Sequence, residues 1–188
     1  VFMGFRLGLG GAQAYFRVRA DLVTYGKTLG GGLPVGVLCG RSDLMRRFRD
    51  DRPADVCFAR GTFNSHPYVM ATMNEFLRYA TGDEFRLQAE QAPAVWDQRI
   101  ADLNEALERE DHPVRLSNMV SVVMVSYIRP GRYHWLFQYY LAVEGLSLAW
   151  VGTGRLIFSH DYSDENFVEF SKRFLRAAER MQSDGWWW

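Results

Sequence analysis

The segment Asp21–Gly36, DLVTYGKTLGGGLPVG, restricts the fold more than any other stretch of the chain. A β-prone run from Leu22 to Tyr25 stops at Gly26, and a second apolar run resumes at Gly36 and continues to Cys39. Between them stand Lys27 and three consecutive glycines. The spacing predicts two short strands around a flexible crossing, with Lys27 fixed at a strand end. Lysine is scarce: of 22 basic residues only Lys27 and Lys172 are lysine. A chain that otherwise writes its positive charge as arginine and keeps lysine here points to amine chemistry rather than charge alone. Free lysine has a pKa of about 10.4, so an uncharged amine needs burial, a cationic neighbour or capture as an imine. On composition alone, an ordinary surface lysine remains the competing reading.

Two nucleotide motifs are approached and missed. Gly26-Lys27-Thr28 matches the end of a phosphate-binding loop, but the position that needs the first glycine holds Asp21, and the glycines follow the lysine. Gly8-Leu9-Gly10-Gly11 gives half of a dinucleotide fingerprint, with Gln13 in the sixth position, and reads as a turn. Acids and bases balance at 22 each, which points to neither nucleic acid nor an anionic membrane as partner. No apolar run approaches the roughly 20 residues that span a bilayer. With 48 % hydrophobic and 15 % aromatic residues, the 188-residue chain has material for a real core. Cys39 and Cys57 are predicted as reduced core residues of a cytoplasmic protein. The four histidines are scattered, and no metal site is predicted. VFMGFRLGLGG opens mid-pattern, as if a strand were cut just upstream, and the chain reads as a fragment without a signal peptide.

Ser42 is a plausible cap for a helix over Asp43–Arg49, and Ser65 for one that starts at Pro67, runs to about Tyr79 and stops at Gly82. A second helical region, Asp83–Glu110, sets Trp96, Ile100, Leu103 and Leu107 on one face, with Pro93 as a point of kinking or division. Val114–Ile128 reads as a strand, Tyr133–Val143 as a helix ending at Gly145, and Ser147–Phe158 as two short strands around Gly152–Gly154. The last helix follows Ser163 and buries Phe167, Phe170, Phe174, Ala178 and Met181. His160, Asp161, Asp164 and Glu165 resemble a ligand cluster, but capping explains the acids. Arg6 reads as structural. Trp186–Trp188 either pack on the body or anchor a continuing tail.

VFMGFRLGLGGAQAYF followed by DLVTYGKTLGGGLPVGVLCGR resembles the class III pyridoxal-phosphate aminotransferases, in particular the branch with glutamate-1-semialdehyde 2,1-aminomutase. The likeness continues through Gly61-Thr62 and, more weakly, SHDYSDENF, and so covers essentially the whole chain. It implies an α/β chain of transferase fold type I, the aspartate aminotransferase-like fold. Residues 1–80 would be the later part of the large cofactor-binding domain, 81–110 a linker helix region, and 111–188 a small C-terminal α+β domain.

The same resemblance implies pyridoxal 5'-phosphate as cofactor and Lys27 as its Schiff-base lysine, which also shuttles a proton between substrate and cofactor carbons. Thr62, with Gly61, matches the residues that bind the cofactor phosphate, reaching across from the neighbouring subunit of a homodimer whose sites lie at the interface. Where many relatives have Gly-Asn-Pro this chain has Ser65-His66-Pro67, which places His66 at the substrate entrance or as a helix cap. Val1 aligns with the end of an Asp-Glu-Val triplet, so the aspartate that pairs with the pyridine nitrogen would lie upstream. The implied activity is amino-group transfer between an amine or amino acid and a carbonyl acceptor. Intramolecular aminomutase chemistry is the alternative, and a catalytically silent module that packs or pairs with a partner is the third.

Overall fold

The computed structural model describes residues 2–46, 50–54, 61–148 and 154–188. The chain divides into two compact units, Val1–Glu90 and Gln91–Trp188. The first begins with a 3-10 turn at Gly4–Leu7 and helix α1, Gly11–Tyr15. Strands β1, Leu22–Gly26, and β2, Gly36–Gly40, then pair antiparallel from Leu22↔Gly40 to Gly26↔Gly36. Both predicted strands are present, each one residue longer. Arg41 closes the open end of this hairpin, donating to Asp21 at 2.8 Å and to Asp43 at 2.7 Å.

Helix α2 is Ser42–Met45, shorter than predicted at its end, since Arg46 is already extended; residues 47–49 of the predicted helix lie outside the described residues. Its cap position is Arg41 and not Ser42, with no side-chain capping bond. Helix α3 spans Pro67–Ala80, with proline in its first turn as predicted and its end at Thr81 just before Gly82. Its cap residue is His66, whereas Ser65 takes a left-handed backbone at φ +56°. Proline at the first helical position fixes the residue before it as the cap, which moves the cap one residue later than predicted.

Phe5, Leu29, Ala80 and Phe85 form the buried cluster of this unit, with Tyr25, Val35, Val37, Met73, Phe76 and Ala89 packed around it. Phe5 meets Phe76 edge to face at 4.9 Å between ring centres. Cys39 corrects the expectation of a core thiol. It is exposed and free, because the cluster reaches along β2 only as far as Val37, two residues short of it. Cys57 lies outside the described residues.

Helix α4 runs unbroken from Asp83 to Arg109, through Pro93. Trp96, Ile100, Leu103 and Leu107, one per turn on a single face, are all buried. The predicted single strand 114–128 is instead a hairpin, β3 Val114–Met119 and β4 Val122–Tyr127, with Met119 opposite Val122. The reversal is made by Val120 and Ser121, with Val120 in the left-handed region at φ +50°. A β-branched residue is a poor turn former, and no glycine or proline marks this bend, so the sequence gives no sign of the reversal.

A 3-10 turn at His134–Leu136 leads into helix α5, Phe137–Val143, inside the predicted helix. Strand β5, Arg155–Ile157, joins the edge of β4 and completes an antiparallel sheet in the order β3-β4-β5. The other strand predicted after Ser147 has no counterpart at residues 147–148, and 149–153 lie outside the description. Helix α6, Asp164–Ser183, is capped by Ser163, whose hydroxyl accepts the Asn166 N–H at 3.2 Å. Its predicted stripe, Phe167, Phe170, Phe174, Ala178 and Met181, is buried as a whole.

The tryptophan tail packs on the second unit. Trp187 donates its indole N–H to the Ala178 carbonyl and lies against Phe137, while Tyr133 meets Trp186 and Trp188 edge to face. Among the described residues no helix is long and apolar enough to cross a membrane.

Candidate functional site

Lys27 follows the last residue of β1 and opens a 3-10 turn over Lys27–Gly30. Its backbone is left-handed, φ +49°, which a non-glycine residue adopts only when its surroundings over-determine it. The surroundings are evident. Gly26 and Leu29 are buried on either side, and Leu29 belongs to the core cluster. The lysine is therefore exposed on a backbone it cannot relax. Its Nζ lies 4.8 Å from the centre of the Phe2 ring, and among the described residues no carboxylate pairs with it.

The glycines that follow are required by geometry at one place above all. Gly31 is left-handed at φ +57°, and a Cβ there would lie 3.1 Å from the Thr72 carbonyl oxygen of α3 and 3.2 Å from the Thr72 Cβ. The loop after Lys27 is thus pressed onto α3, which fixes the lysine against the helix that Gly61 and Thr62 precede.

Gly61 and Thr62 are exposed in a succession of turns, 62–65, that delivers the chain to α3. The Asn64 N–H bonds the Gly61 carbonyl at 3.1 Å and the His66 N–H bonds the Phe63 carbonyl at 3.3 Å. Among the described residues no side chain caps α3, and no acidic residue stands in its first turn. The leading N–H groups of a helix have no acceptor within it, so the positive end of this 14-residue helix stays available to an anion beside Thr62.

His66 holds the cap position through its backbone, its carbonyl accepting the Met70 N–H at 3.0 Å, while its side chain caps nothing. The ring lies 5.2 Å from Tyr68 and 6.3 Å from Phe63, and Nδ1 is buried without a hydrogen-bond partner among the described residues. Phe63 and Tyr68 are the most exposed large apolar side chains among the described residues, at 78 % and 75 %. Arg6 is half-buried, and desolvation lowers its pKa from the ordinary arginine value.

The group at 160–165 serves the start of α6. Asp164 accepts from Arg99 at 2.7 Å, the Asp161 N–H donates to Ser159 Oγ at 3.2 Å, and backbone N–H donation together with Ser163 holds the Glu165 carboxyl below its usual range. Lys27, Gly61 and Thr62 all lie in the first unit. Sequence reasoning missed Phe2, because nothing in the one-dimensional pattern reveals that a ring 25 positions earlier meets the lysine. It also missed the left-handed backbones of Lys27 and Ser65, whose residue types carry no such signal.

Residues 4–162 match the model of the family described as aminotransferase class-III. Among curated relatives, the chain is 39 % identical over 126 residues to a glutamate-1-semialdehyde 2,1-aminomutase of Anaeromyxobacter, covering 66 % of this chain and 28 % of that enzyme. The enzyme of the same name from Ignicoccus hospitalis is 50 % identical over 82 residues, 42 % of this chain and 19 % of its own. Among solved structures, an omega-transaminase from Sphaerobacter thermophilus superposes with a TM-score of 0.79 at 22 % identity, over 96 % of this chain and 43 % of its own. A transaminase with PLP bound gives 0.78 at 20 % identity, over 97 % and 43 %. These likenesses establish the type I transaminase fold, and the chain spans less than half the length of the relatives it matches.

Proposed function

The chain belongs to the class III aminotransferase family, and on that footing we propose that it carries the lysine-bearing part of an enzyme that moves an amino group between an amine or amino acid and a carbonyl acceptor. The observation that carries this reading is the Lys27 amine, exposed at a strand end on a left-handed backbone and bound to no carboxylate among the described residues. Such an amine is open to a carbonyl carbon, whereas one locked in an ion pair is not.

Pyridoxal phosphate needs an amine for its aldehyde and donors for its phosphate, and the residues present fit both needs. Lys27 Nζ would hold the aldehyde carbon. The Thr62 hydroxyl, with Gly61 and the uncapped N-terminus of α3, would hold the phosphate. When bound, the cofactor supplies an electron sink for chemistry at the substrate's amino-bearing carbon. Lys27 Nζ, released from it, holds and moves a proton there. We place the working site at the interface of a homodimer, Thr62 of one copy serving the cofactor of the other. The exposed Phe63 and Tyr68 beside Thr62 support that placement.

A second reading, intramolecular amino transfer, is favoured by the curated relatives named glutamate-1-semialdehyde 2,1-aminomutase, at 34 to 50 % identity. Both readings use the same lysine. Incubation with pyridoxal phosphate, borohydride reduction and peptide mass spectrometry should show a pyridoxyl adduct at residue 27, absent in Lys27→Ala. An adduct elsewhere, or none, removes both readings. With the adduct in hand, product formed only when a keto acid is added supports transfer, and product formed without an acceptor supports the mutase.

A further inference from the structure

We propose that Phe2 is a positioning residue for the Lys27 amine, giving the unengaged ammonium a seat on its ring face. The proposal deepens the reading of Lys27 as the cofactor-holding residue and rests on it. Nζ lies 4.8 Å from the ring centre, inside the distance of about 6 Å at which an aromatic face attracts a cation.

Both partners are held by the same core. Phe2 stands three residues ahead of Phe5 and Lys27 two ahead of Leu29, and Phe5 and Leu29 belong to one buried cluster. The left-handed backbone at Lys27 then sets the direction in which its side chain leaves the chain. Phe2 itself forms part of the wall of a shallow groove of about 210 Å³, shared with Gly4, Gly11, Thr24 and Tyr25.

A ring suits this duty better than a carboxylate would. At a partly exposed site such a contact favours the seated arrangement only about two- to five-fold. The amine is therefore positioned without being committed, and it leaves the seat when a carbonyl carbon is offered. An ion pair in the same place would compete with that carbon for the amine.

The scarcity of lysine supplies the test. Reductive methylation of the 188-residue chain with ¹³C-formaldehyde labels two side chains, Lys27 and Lys172, and the α-amino group. Methyl groups held over a ring face resonate upfield, so the Lys27 signal, assigned by its loss in Lys27→Arg, should lie upfield of the Lys172 signal. In Phe2→Leu, which keeps apolar bulk and removes the ring, it should move downfield to the Lys172 position. In Phe2→Tyr it should stay upfield. An unchanged Lys172 signal in each variant reports that α6 is intact.

A Lys27 signal that coincides with that of Lys172 in the parent chain overturns the seat, as does one unmoved by Phe2→Leu. The borohydride experiment separates this result from the cofactor assignment. An adduct at residue 27 without an upfield signal removes the seat alone, and an upfield signal without an adduct removes the cofactor reading on which the seat's purpose depends.

Discussion

Lys27, Ser65 and Val120 each occupy the left-handed backbone region without being glycine, as do Arg17 and Asp111, and of these Lys27 falls in a segment that carries the family likeness. Strain of this kind costs on the order of 1–3 kcal/mol per residue and persists only where packing enforces it. Around Lys27 the enforcement comes from Leu29 in the core and from Gly31 against α3. Gly31→Ala should therefore cost about 1–3 kcal/mol in urea unfolding, since alanine meets both a left-handed backbone and the Thr72 carbonyl. The same variant should slow pyridoxyl capture at Lys27, because the loop that places the lysine must shift.

A second prediction at this scale concerns His134, buried in a stack on Tyr127 at 4.2 Å and edge-on to Trp187. Burial holds its imidazole pKa below the ordinary histidine value, and its Nε2 has no hydrogen-bond partner among the described residues. Below about pH 6.5 the unfolded chain takes up a proton that the folded one resists, so stability falls as the pH falls. Urea midpoints at pH 7.5 and 5.5 should show the loss, and His134→Phe should shrink the difference between them.

At the scale of elements, the second unit shows how local pattern and tertiary contact divide the work. Helices α4 and α6 were legible because their apolar residues recur once per turn, and α6 also carries its cap at Ser163 and two acids in its first turn. The β3–β4 hairpin was not legible as a hairpin. Both strands were read as β, but the reversal at Val120-Ser121 places a β-branched valine, a residue that favours extension, in the left-handed position. The turn is held instead by contacts made from afar. Ser121 is buried and its carbonyl accepts the Phe158 N–H at 3.0 Å.

The outer edge of β3 is fastened in a similar way. Asn104 of α4 donates to the Leu116 carbonyl at 2.7 Å and accepts the Leu116 N–H at 2.8 Å, taking the place of a neighbouring strand. Asn104→Ala leaves two buried backbone groups unpaired and should cost about 1–3 kcal/mol by chemical denaturation. Asn104→Asp, which keeps the acceptor and loses the donor, should cost less than Asn104→Ala.

For the whole molecule, the decisive matter is which copy supplies which part of a site. If Thr62 serves the cofactor held by Lys27 of a second copy, two defective chains should repair each other. Lys27→Ala captures no pyridoxal phosphate. Thr62→Val should bind it about ten-fold or more weakly, having lost a hydrogen bond to a charged group. Mixed and allowed to exchange, the two should yield pyridoxyl adduct above the sum of the separate samples, since one pairing joins an intact Lys27 with an intact Thr62. A strictly additive result would mean that both residues serve the same copy.

The amino-acid sequence alone determined the lysine at a strand end, the glycine loop behind it, the helices with one apolar residue per turn and the family to which the motifs belong. Each of these is written in residues close together in the chain, where spacing and backbone preference act directly. Only the tertiary structure decided that Phe2 meets Lys27, that Cys39 is exposed, that Val120 turns a strand back on itself and that the tryptophan tail packs on the second unit. Those outcomes depend on which side chains fill a shared interior. Packing couples residues distant in the chain and overrides what each prefers by itself.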